Sequence, residues 1–204
     1  MKIILASKSP RRKELLSSVC RDFEIITSEA DETLPEGIHP KDGVAILAKR
    51  KGAAVLSMLK NNGVSTEDSL VISSDTLVEK DGAALGKPFD ENDAFSMLKT
   101  LSGKRHNVHT GVCVHYAGRV ASGTATTGVY FREMTDSEIW EYIKTGEPMD
   151  KAGAYGIQGI GGKFVEKTEG DYDTVVGLSM NLTKRLAKNV TGEWIFGEPE
   201  EVLI

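Results

Sequence analysis

The sequence SLVISSDTLV, residues 69–78, is an apolar run that polar residues enter only towards its end. A short run without alternation is typical of a strand covered on both faces, and so of the centre of a sheet. Asp75 lies in the polar part, SSDT, near the predicted end of the strand. Open α/β sheets bind ligands at strand ends, where a carboxylate can hold Mg²⁺ or orient a water molecule. The alternative interpretation is an aspartate that forms a turn or caps a helix.

The patterns on both sides of this strand predict alternating strands and helices, followed by hairpins. The predicted strands are 3–5, 23–30, 69–78, 106–116, 120–134 and 163–168, and the predicted helices are 10–16, 41–61, 90–101, a helix after Thr135 and Glu138, and 176–188. Loops are predicted over 31–40, 81–90 and the glycine-rich residues 150–162. This order favours an α/β fold with a mixed sheet over a fully parallel one.

The stretch LASKSPRRKELL, residues 5–16, predicts a helix that begins after Ser9, with Pro10 at its first position. Four cations stand at this start: Lys8, Arg11, Arg12 and Lys13. Cations oppose the positive end of a helix dipole by about 0.3 to 1 kcal/mol each. An anion bound to the helix N-terminus and the arginines would reverse that cost, and phosphate commonly binds in this geometry. The alternative is that the four side chains are only solvated.

Composition excludes several classes of protein. With 204 residues, 40% of them hydrophobic and 27% charged, the chain can form one substantial core or two lobes around a cleft. A formal net charge of −5 argues against a general nucleic-acid binder. Cys20 and Cys113 match no disulfide framework or zinc spacing, and no apolar run approaches the length of a membrane span. We therefore expect a cytoplasmic protein.

Two residues of the first half are candidates for a charged cleft. Lys51 interrupts the apolar row that Leu47, Val55 and Leu59 form on one face of the second predicted helix. Spacing alone favours a lysine whose stem packs and whose ammonium reaches solvent. The cations of residues 5–16 give more weight to the alternative, in which the ammonium points into a phosphate cleft. Glu32, in the loop after the second strand, is a second carboxylate that can share a metal ion with Asp75.

Two further loops carry candidate ligand-binding residues. Lys87 lies in GKP, where Gly86 and Pro88 stiffen the backbone, although a lysine in a surface turn is the plainer explanation. The stretch DKAGAYGIQGIGG, residues 150–162, offers small residues that allow a flat ligand to approach, with Tyr155 and Gln158 as contacts. A glutamine amide both donates and accepts hydrogen bonds, which matches the edge of uracil or thymine. The alternative is a glycine-rich bend.

Taken together, these stretches resemble the Maf family of nucleoside triphosphate pyrophosphatases. The matching motifs cover Ile3 to Leu178 in the family's order, and they are LASKSPRRKELL, LAKRK, SSDTLV, GKP, LSGKRHNVHTGV, GEPMDKAGAYGIQG and GDYDTVVGL. The chain departs from the family at four places: SSDT replaces GADT or SADT, Gly52 replaces an alanine, GLSM replaces GLP, and IHPKDG matches the family's proline-and-glutamate loop only loosely.

The resemblance implies an elongated α/β fold like that of inosine triphosphatases, with a mixed β-sheet flanked by helices. It implies a single domain over residues 1–204, with two lobes around a cleft, usually as a homodimer. The implied reaction is hydrolysis of a nucleoside triphosphate to the monophosphate and pyrophosphate, with water attacking the α-phosphorus. The implied cofactor is a divalent cation, Mg²⁺ or Mn²⁺.

Motif positions also imply residue roles. The implied catalytic set is Glu32, Lys51, Asp75 and Lys87, with Asp75 and Glu32 as metal ligands. The implied substrate-binding set is Ser7, Arg11, Arg12, Thr76 and Gln158. Arg11, Thr76 and Gln158 match the branch that prefers dTTP and UTP, with modified pyrimidine nucleotides as further candidate substrates.

Two other functions stay open at this point. One is a pyrophosphatase for non-canonical or methylated purine nucleotides, which would share the chemistry and differ in the base pocket. The other is a regulator of cell division that binds nucleotides or nucleic acid without turnover. A panel of nucleotide substrates would discriminate between these functions.

Overall fold

The computed structural model describes residues 1–200, which form a seven-stranded sheet covered by helices. The strands are β1 (Lys2–Leu5), β2 (Glu24–Ile25), β3 (Ser69–Lys80), β4 (Ala83–Leu85), β5 (Arg105–Tyr116), β6 (Arg119–Phe131) and β7 (Val165–Glu169). The α-helices are α1 (Pro10–Ser17), α2 (Pro40–Asn61), α3 (Glu91–Leu101), α4 (Asp136–Ile143), α5 (Tyr172–Val176) and α6 (Met180–Thr191). Short 3₁₀ turns lie at Glu147–Asp150, Ala152–Ala154 and Ile160–Phe164. No helix in this part of the chain has the length and apolarity that a bilayer span requires.

The sheet is mixed, as the sequence predicts. Its order is β2-β1-β3-β5-β6-β7. β4 pairs with the last residues of β3, beyond the part of β3 that pairs with β1. β1 is parallel to both β2 and β3, whereas the other pairs are antiparallel. The predicted α/β fold with a mixed sheet flanked by helices is therefore confirmed. A single domain over 1–204 with two lobes stays a prediction, and its residues 201–204 lie outside the described part.

The central strand β3 is longer than the sequence predicts, and this places Asp75 differently. Asp75 lies in mid-strand, opposite Gly111 of β5, and not near a strand end. The pairing of β3 with β1 nevertheless stops at Ile72, and its pairing with β4 begins only at Val78. Asp75 therefore borders a gap beyond the carboxyl end of β1. The prediction that Asp75 lies near the end of its own strand is wrong. Asp75 does lie beyond the end of the neighbouring strand β1.

Helix α2 packs directly on the sheet because one strand residue has no side chain. A Cβ at Gly111 would lie 2.2 Å from the carbonyl oxygen of Val44, which is closer than any real contact. Glycine thus permits α2 to lie against β5 at the level of Asp75. This close approach brings the middle of α2, which carries Lys51, to the central strand.

Apolar cores lie at the two ends of β3. Val78 belongs to a core with side chains of α3, α4 and the 3₁₀ turns, including Leu98, Tyr142 and Phe164. Ile72 belongs to another, which includes side chains of α1 and α6. The middle of β3, between these two cores, is where polar side chains collect.

Three element predictions are wrong in detail. The strand predicted over 23–30 is only Glu24–Ile25, because its partner β1 ends at Leu5. The loop predicted over 81–90 contains β4, which turns back onto the extended β3. The helix predicted over 176–188 begins only at Met180, after a break at Gly177 that separates it from α5, since Asp171 and Ser179 each cap a separate helix by accepting a backbone N–H.

A buried histidine makes the stability of the fold depend on pH. His106 is 2% exposed and packs edge-on against Phe131 and Tyr155. Its Nε2 pairs with the Tyr155 hydroxyl at 2.8 Å, while Nδ1 has no partner among the described residues. Burial lowers the pKa of His106 from 6.5 to about 4. This difference corresponds to about 3 kcal/mol of stability that is present above pH 6.5 and lost as the pH falls towards 4.

We expect His106→Gln to flatten the acid side of the stability profile. Glutamine can still pair with Tyr155 but does not titrate, so the variant loses less stability than the wild type between pH 6.5 and 4. Urea unfolding at several pH values measures this difference in slope directly. Parallel profiles for the two proteins would contradict the assignment to His106.

Candidate active site

A cleft of about 1010 Å³ lies beside the middle of β3. Its walls come from the loop between β1 and α1, the segment after β2, the middle of α2, and the loops after β4 and α4. The nine residues to which the family resemblance gives a catalytic or binding role all line this cleft: Ser7, Arg11, Arg12, Glu32, Lys51, Asp75, Thr76, Lys87 and Gln158. Segments far apart in the chain thus meet around one space.

The centre of the cleft is an ammonium shared by two carboxylates. Lys51 Nζ lies 2.5 Å from Asp75 Oδ1 and 2.9 Å from Glu32 Oε1. The side chains of Lys51 and Asp75 are 21% and 12% exposed, whereas that of Glu32 is 65% exposed. The interpretation from spacing alone, in which Lys51 reaches solvent, is wrong. The sheet buries this face of α2, and the ammonium of Lys51 pairs with the two carboxylates inside the cleft.

Electrostatics keep the outer carboxylate ionised. The hydrogen bond from Lys51 is the main cause that lowers the pKa of Glu32, and the charges of Lys87 and Arg12 lower it further against the effect of partial burial. Lys87 itself is exposed on the rim of the cleft. Glu32 therefore carries a full negative charge at neutral pH, close to three cations.

Arg12 is held in the cleft wall by acceptors from three segments. Its Nε donates to the carbonyl oxygen of Gly177 at 2.8 Å, and its Nη1 donates to that of Ser74 at 2.9 Å. Longer contacts join Nη1 to Ser7 Oγ at 3.4 Å and Nη2 to Thr76 Oγ1 at 3.3 Å. Burial is the largest influence on the pKa of Arg12 and lowers it, while the charge of Asp75 opposes this. A guanidinium remains protonated at neutral pH even when its pKa is lowered. Arg12 is therefore a permanent positive charge.

Two departures from the family motifs meet at this arginine. The hydroxyl of Ser74, where the family has alanine, donates to the same Gly177 carbonyl at 2.9 Å. Ser179, where the family has proline, caps α6 by accepting from Leu182 N and also donates to Asp171 Oδ2 at 2.7 Å. Both serines therefore stabilise the break between α5 and α6 that presents the carbonyl of Gly177 to Arg12.

The third departure, Gly52, has a steric reason. A Cβ at this position would lie 2.7 Å from Ser73 Oγ and 2.9 Å from Nε2 of His115. Ser73 Oγ is buried and donates to the carbonyl of Ala48 at 2.7 Å. Glycine after Lys51 thus lets α2 approach β3 closely, which keeps the ammonium at Asp75.

The remaining predicted binding residues differ in how they are held. Ser7 is buried, and its Oγ accepts from Ser9 N at 3.2 Å. Thr76 Oγ1 pairs with Thr110 Oγ1 at 2.9 Å, so this hydroxyl is already engaged by the sheet. Arg11 is half-buried on the rim, and its charge adds to the effect of the Lys151 hydrogen bond, which is the main cause that lowers the pKa of Asp150. Gln158 is exposed and lines the same cleft from the glycine-rich loop.

The cleft also contains charged residues that sequence analysis did not select. Asp150 and Lys151 line it together and form an ion pair at 2.6 Å. Their signal was an acid next to a base at the start of DKAGAYGIQG. Tyr155, predicted as a contact for a flat ligand, lines the cleft but is 6% exposed and pairs with His106.

The two central carboxylates fit a hard divalent cation. Asp75 Oδ2 and Glu32 Oε2 make no hydrogen bond with any residue of 1–200, and both side chains line the cleft. Within these residues, no group of three or more His, Cys, Asp or Glu side chains is arranged to hold a metal ion. Mg²⁺ is commonly held by only one or two carboxylates, with water and substrate phosphates completing its coordination. The donor set therefore suits a metal that arrives with its substrate.

Comparisons with known proteins show which family the chain resembles. A family model described as Maf-like protein matches residues 2–190. A dTTP/UTP pyrophosphatase of Bdellovibrio bacteriovorus is 49% identical over 90% of this chain and 96% of its own length. Proteins of the same name from Thermococcus gammatolerans and Caldicellulosiruptor saccharolyticus are 48% and 44% identical, over 90% and 97% of this chain and 94% and 98% of their own lengths. The solved structure of the Staphylococcus aureus Ham1 protein is 14% identical, with a TM-score of 0.47 over 92% of this chain and 90% of that one.

Proposed function

Because this chain belongs to the family of Maf-like proteins, we propose that it is a nucleoside triphosphate pyrophosphatase that hydrolyses dTTP and UTP to the monophosphate and pyrophosphate. The observation that carries this proposal is the pair of carboxylates, Asp75 and Glu32, joined by Lys51 within a cleft that also presents Arg12 and Lys87. Relatives that share this chain's length bear the name dTTP/UTP pyrophosphatase.

The cations would bind and orient the triphosphate. Phosphoanhydride hydrolysis needs charge neutralisation and a positioned water more than covalent catalysis. Arg12 is immobilised by its backbone acceptors, so it offers a preorganised charge. Lys87, on the exposed rim, would reach the end of the triphosphate. The N-terminus of α1 adds backbone N–H groups that favour an anion.

The carboxylates would serve the attacking water. Lys51 occupies Asp75 Oδ1, so Oδ2 is the oxygen that either takes a proton from water or binds metal. Glu32 and Asp75 would hold Mg²⁺ or Mn²⁺ together, and the metal would neutralise charge on the phosphate oxygens. Lys51 pairs with both carboxylates and so fixes their separation, and its hydrogen bond lowers the pKa of Glu32. Water would then attack the α-phosphorus with pyrophosphate as the leaving group.

The base would lie between Arg11, Thr76 and the loop that carries Gln158. Gln158 offers both a donor and an acceptor to the edge of thymine or uracil. We expect Gln158→Ala to raise the KM for dTTP and UTP about tenfold and to reduce the preference for them over CTP, because a site loses discrimination with its hydrogen-bonding group. Steady-state release of pyrophosphate measures both. Asn189→Ala, which removes an exposed amide on α6, should leave both values unchanged.

The decisive experiment is a substrate panel with Mg²⁺, comprising dTTP, UTP, their modified-base analogues, CTP, GTP, 7-methyl-GTP, ITP and XTP. Preferential release of pyrophosphate from dTTP and UTP is the expected result. Preference for ITP, XTP or 7-methyl-GTP would overturn the base assignment and favour a purine pyrophosphatase. Binding without turnover of any nucleotide would overturn the enzymatic proposal and favour a regulator.

The homodimer that the family resemblance implies and the cytoplasmic location that the composition predicts both belong to this proposal. Light scattering on the purified protein tests the first, since a dimer has twice the 22.1 kDa mass of one chain. A mass of one chain at working concentration would contradict it.

A further inference from the structure

The carboxylate of Glu147 lies beneath the glycine-rich loop and accepts three hydrogen bonds. Its Oε1 accepts from the Tyr142 hydroxyl at 2.8 Å and from Gly161 N at 3.1 Å, and its Oε2 accepts from Ile160 N at 2.8 Å. Burial would raise the pKa of Glu147, but the two backbone N–H groups and the tyrosine hydroxyl together hold it below its usual value. A charged acceptor with three donors is a strong local constraint.

The glycines of this loop are required by that carboxylate. A Cβ at Gly159 would lie 2.5 Å from both carboxylate oxygens of Glu147, and one at Gly161 would lie 2.5 Å from the Tyr142 hydroxyl. The sequence alone predicts that these small residues allow a flat ligand to approach. At these two positions they admit the side chains of Glu147 and Tyr142 instead.

The same carboxylate connects the loop to a rigid part of the molecule. Tyr142 is fully buried in α4 and stacks edge-on against Phe164. Its hydroxyl also accepts from Gly156 N at 3.4 Å. Hydrogen bonds therefore hold the backbone at residue 156 and at residues 160–161, on both sides of Gln158. Gln158 itself is exposed at the cleft, so its position depends on these flanking residues.

We propose that Glu147 is a positioning residue for nucleotide selectivity, which fixes the loop of residues 156–161 so that Gln158 faces the base. Glu147 does not touch the substrate and acts through the loop backbone. This inference rests on the proposed function, and it deepens that function by naming what holds the base-recognition residue in place.

The test uses Glu147→Gln in the full-length protein. The glutamine amide has one acceptor oxygen, whereas the two oxygens of Glu147 both accept. The variant therefore cannot accept from Ile160 N and from Gly161 N in the same way. We expect the KM for dTTP and UTP to rise about tenfold, with kcat changed by less than about threefold, and the preference over CTP to fall about tenfold. Exchange of the Ile160 and Gly161 amide hydrogens should become at least about tenfold faster.

A double-mutant cycle with Gln158→Ala shows whether Glu147 acts through Gln158. In the Gln158→Ala background, Glu147→Gln should change selectivity by less than about twofold, because the group it positions is already absent. Equal effects in the two backgrounds would overturn the inference. Tyr142→Phe, which removes one donor and keeps the buried ring, provides a milder variant and should give an intermediate loss of selectivity.

Glu138→Gln is the matched control. Glu138 also accepts a backbone N–H and side-chain donors at α4, but it pairs with Arg132 and Thr135 away from the cleft. It should leave KM and selectivity unchanged even if it lowers stability. If the wild type is selective and the Glu147→Gln variant keeps the same KM and selectivity, the positioning role of Glu147 is overturned. The proposed function would still stand. A wild type inactive on dTTP and UTP would instead refute the proposed function.

Discussion

Replacement of Asp75 by asparagine is expected to lower the kcat for dTTP hydrolysis by about 10² to 10⁴-fold. Asp75 is 8% exposed and directs one oxygen to Lys51 and the other to the cleft. Asparagine has nearly the same shape, but it cannot take a proton and replaces one anionic oxygen with a donor. Pyrophosphate release at saturating dTTP and Mg²⁺ measures the loss.

A Mg²⁺ titration of this variant separates the two roles of Asp75. If the carboxylate is a metal ligand, higher Mg²⁺ refills the weakened site by mass action and restores part of kcat. If it is the general base, the loss is the same at every Mg²⁺ concentration. If Asp75→Asn turns over at nearly the wild-type rate and needs no more Mg²⁺ than the wild type, both roles are contradicted. Asp136→Asn, at an exposed ion pair with Lys99, is the control and should keep full activity.

Arg12→Lys should lower kcat/KM for dTTP by about 10²-fold, although it preserves the positive charge. One ammonium cannot replace the separate donors that Arg12 directs to the carbonyls of Gly177 and Ser74. The buried acceptors that lose their donors should also reduce the free energy of unfolding by about 1–3 kcal/mol. Kinetics and urea unfolding of the same preparation measure the two effects.

Arg21→Lys serves as the control for this substitution. Arg21 is exposed and does not line the cleft, so both activity and stability should stay at the wild-type values. An Arg12→Lys variant with wild-type kinetics would show that any cation at this position suffices. The anchored geometry of the guanidinium would then have no role in catalysis.

The local elements and the members of the cleft could be predicted from sequence because their signals are short-range or lie in ordered motifs. Ser9 and Pro10 begin α1, and Thr135 with Glu138 begins α4, as their capping patterns predict. The nine selected residues line one cleft, because the motifs that contain them are joined by the topology of the sheet.

What sequence reasoning missed depends on contacts between distant segments. Helix spacing alone gives the wrong direction for Lys51, because that direction is decided by the close packing of α2 on the sheet, which Gly111 allows. Helix periodicity carries no information about that strand. The break at Gly177, which delays the start of the last helix to Met180, was missed because the residue that uses its carbonyl, Arg12, lies at the other end of the chain. Glu147 was missed because a loop glutamate looks solvated until its three donors are known.

The carbonyl of Gly177 also has a consequence for synthesis of the protein on the ribosome. Arg12 and Ser74 both donate to it, across separations of 165 and 103 residues along the chain. A nascent chain that has exposed only its first 150 residues already contains Arg12, Lys51 and Asp75, yet it has no partner for the Nε of that arginine. Competence for nucleotide hydrolysis would therefore arise late in translation, after the segment around Gly177 has left the exit tunnel.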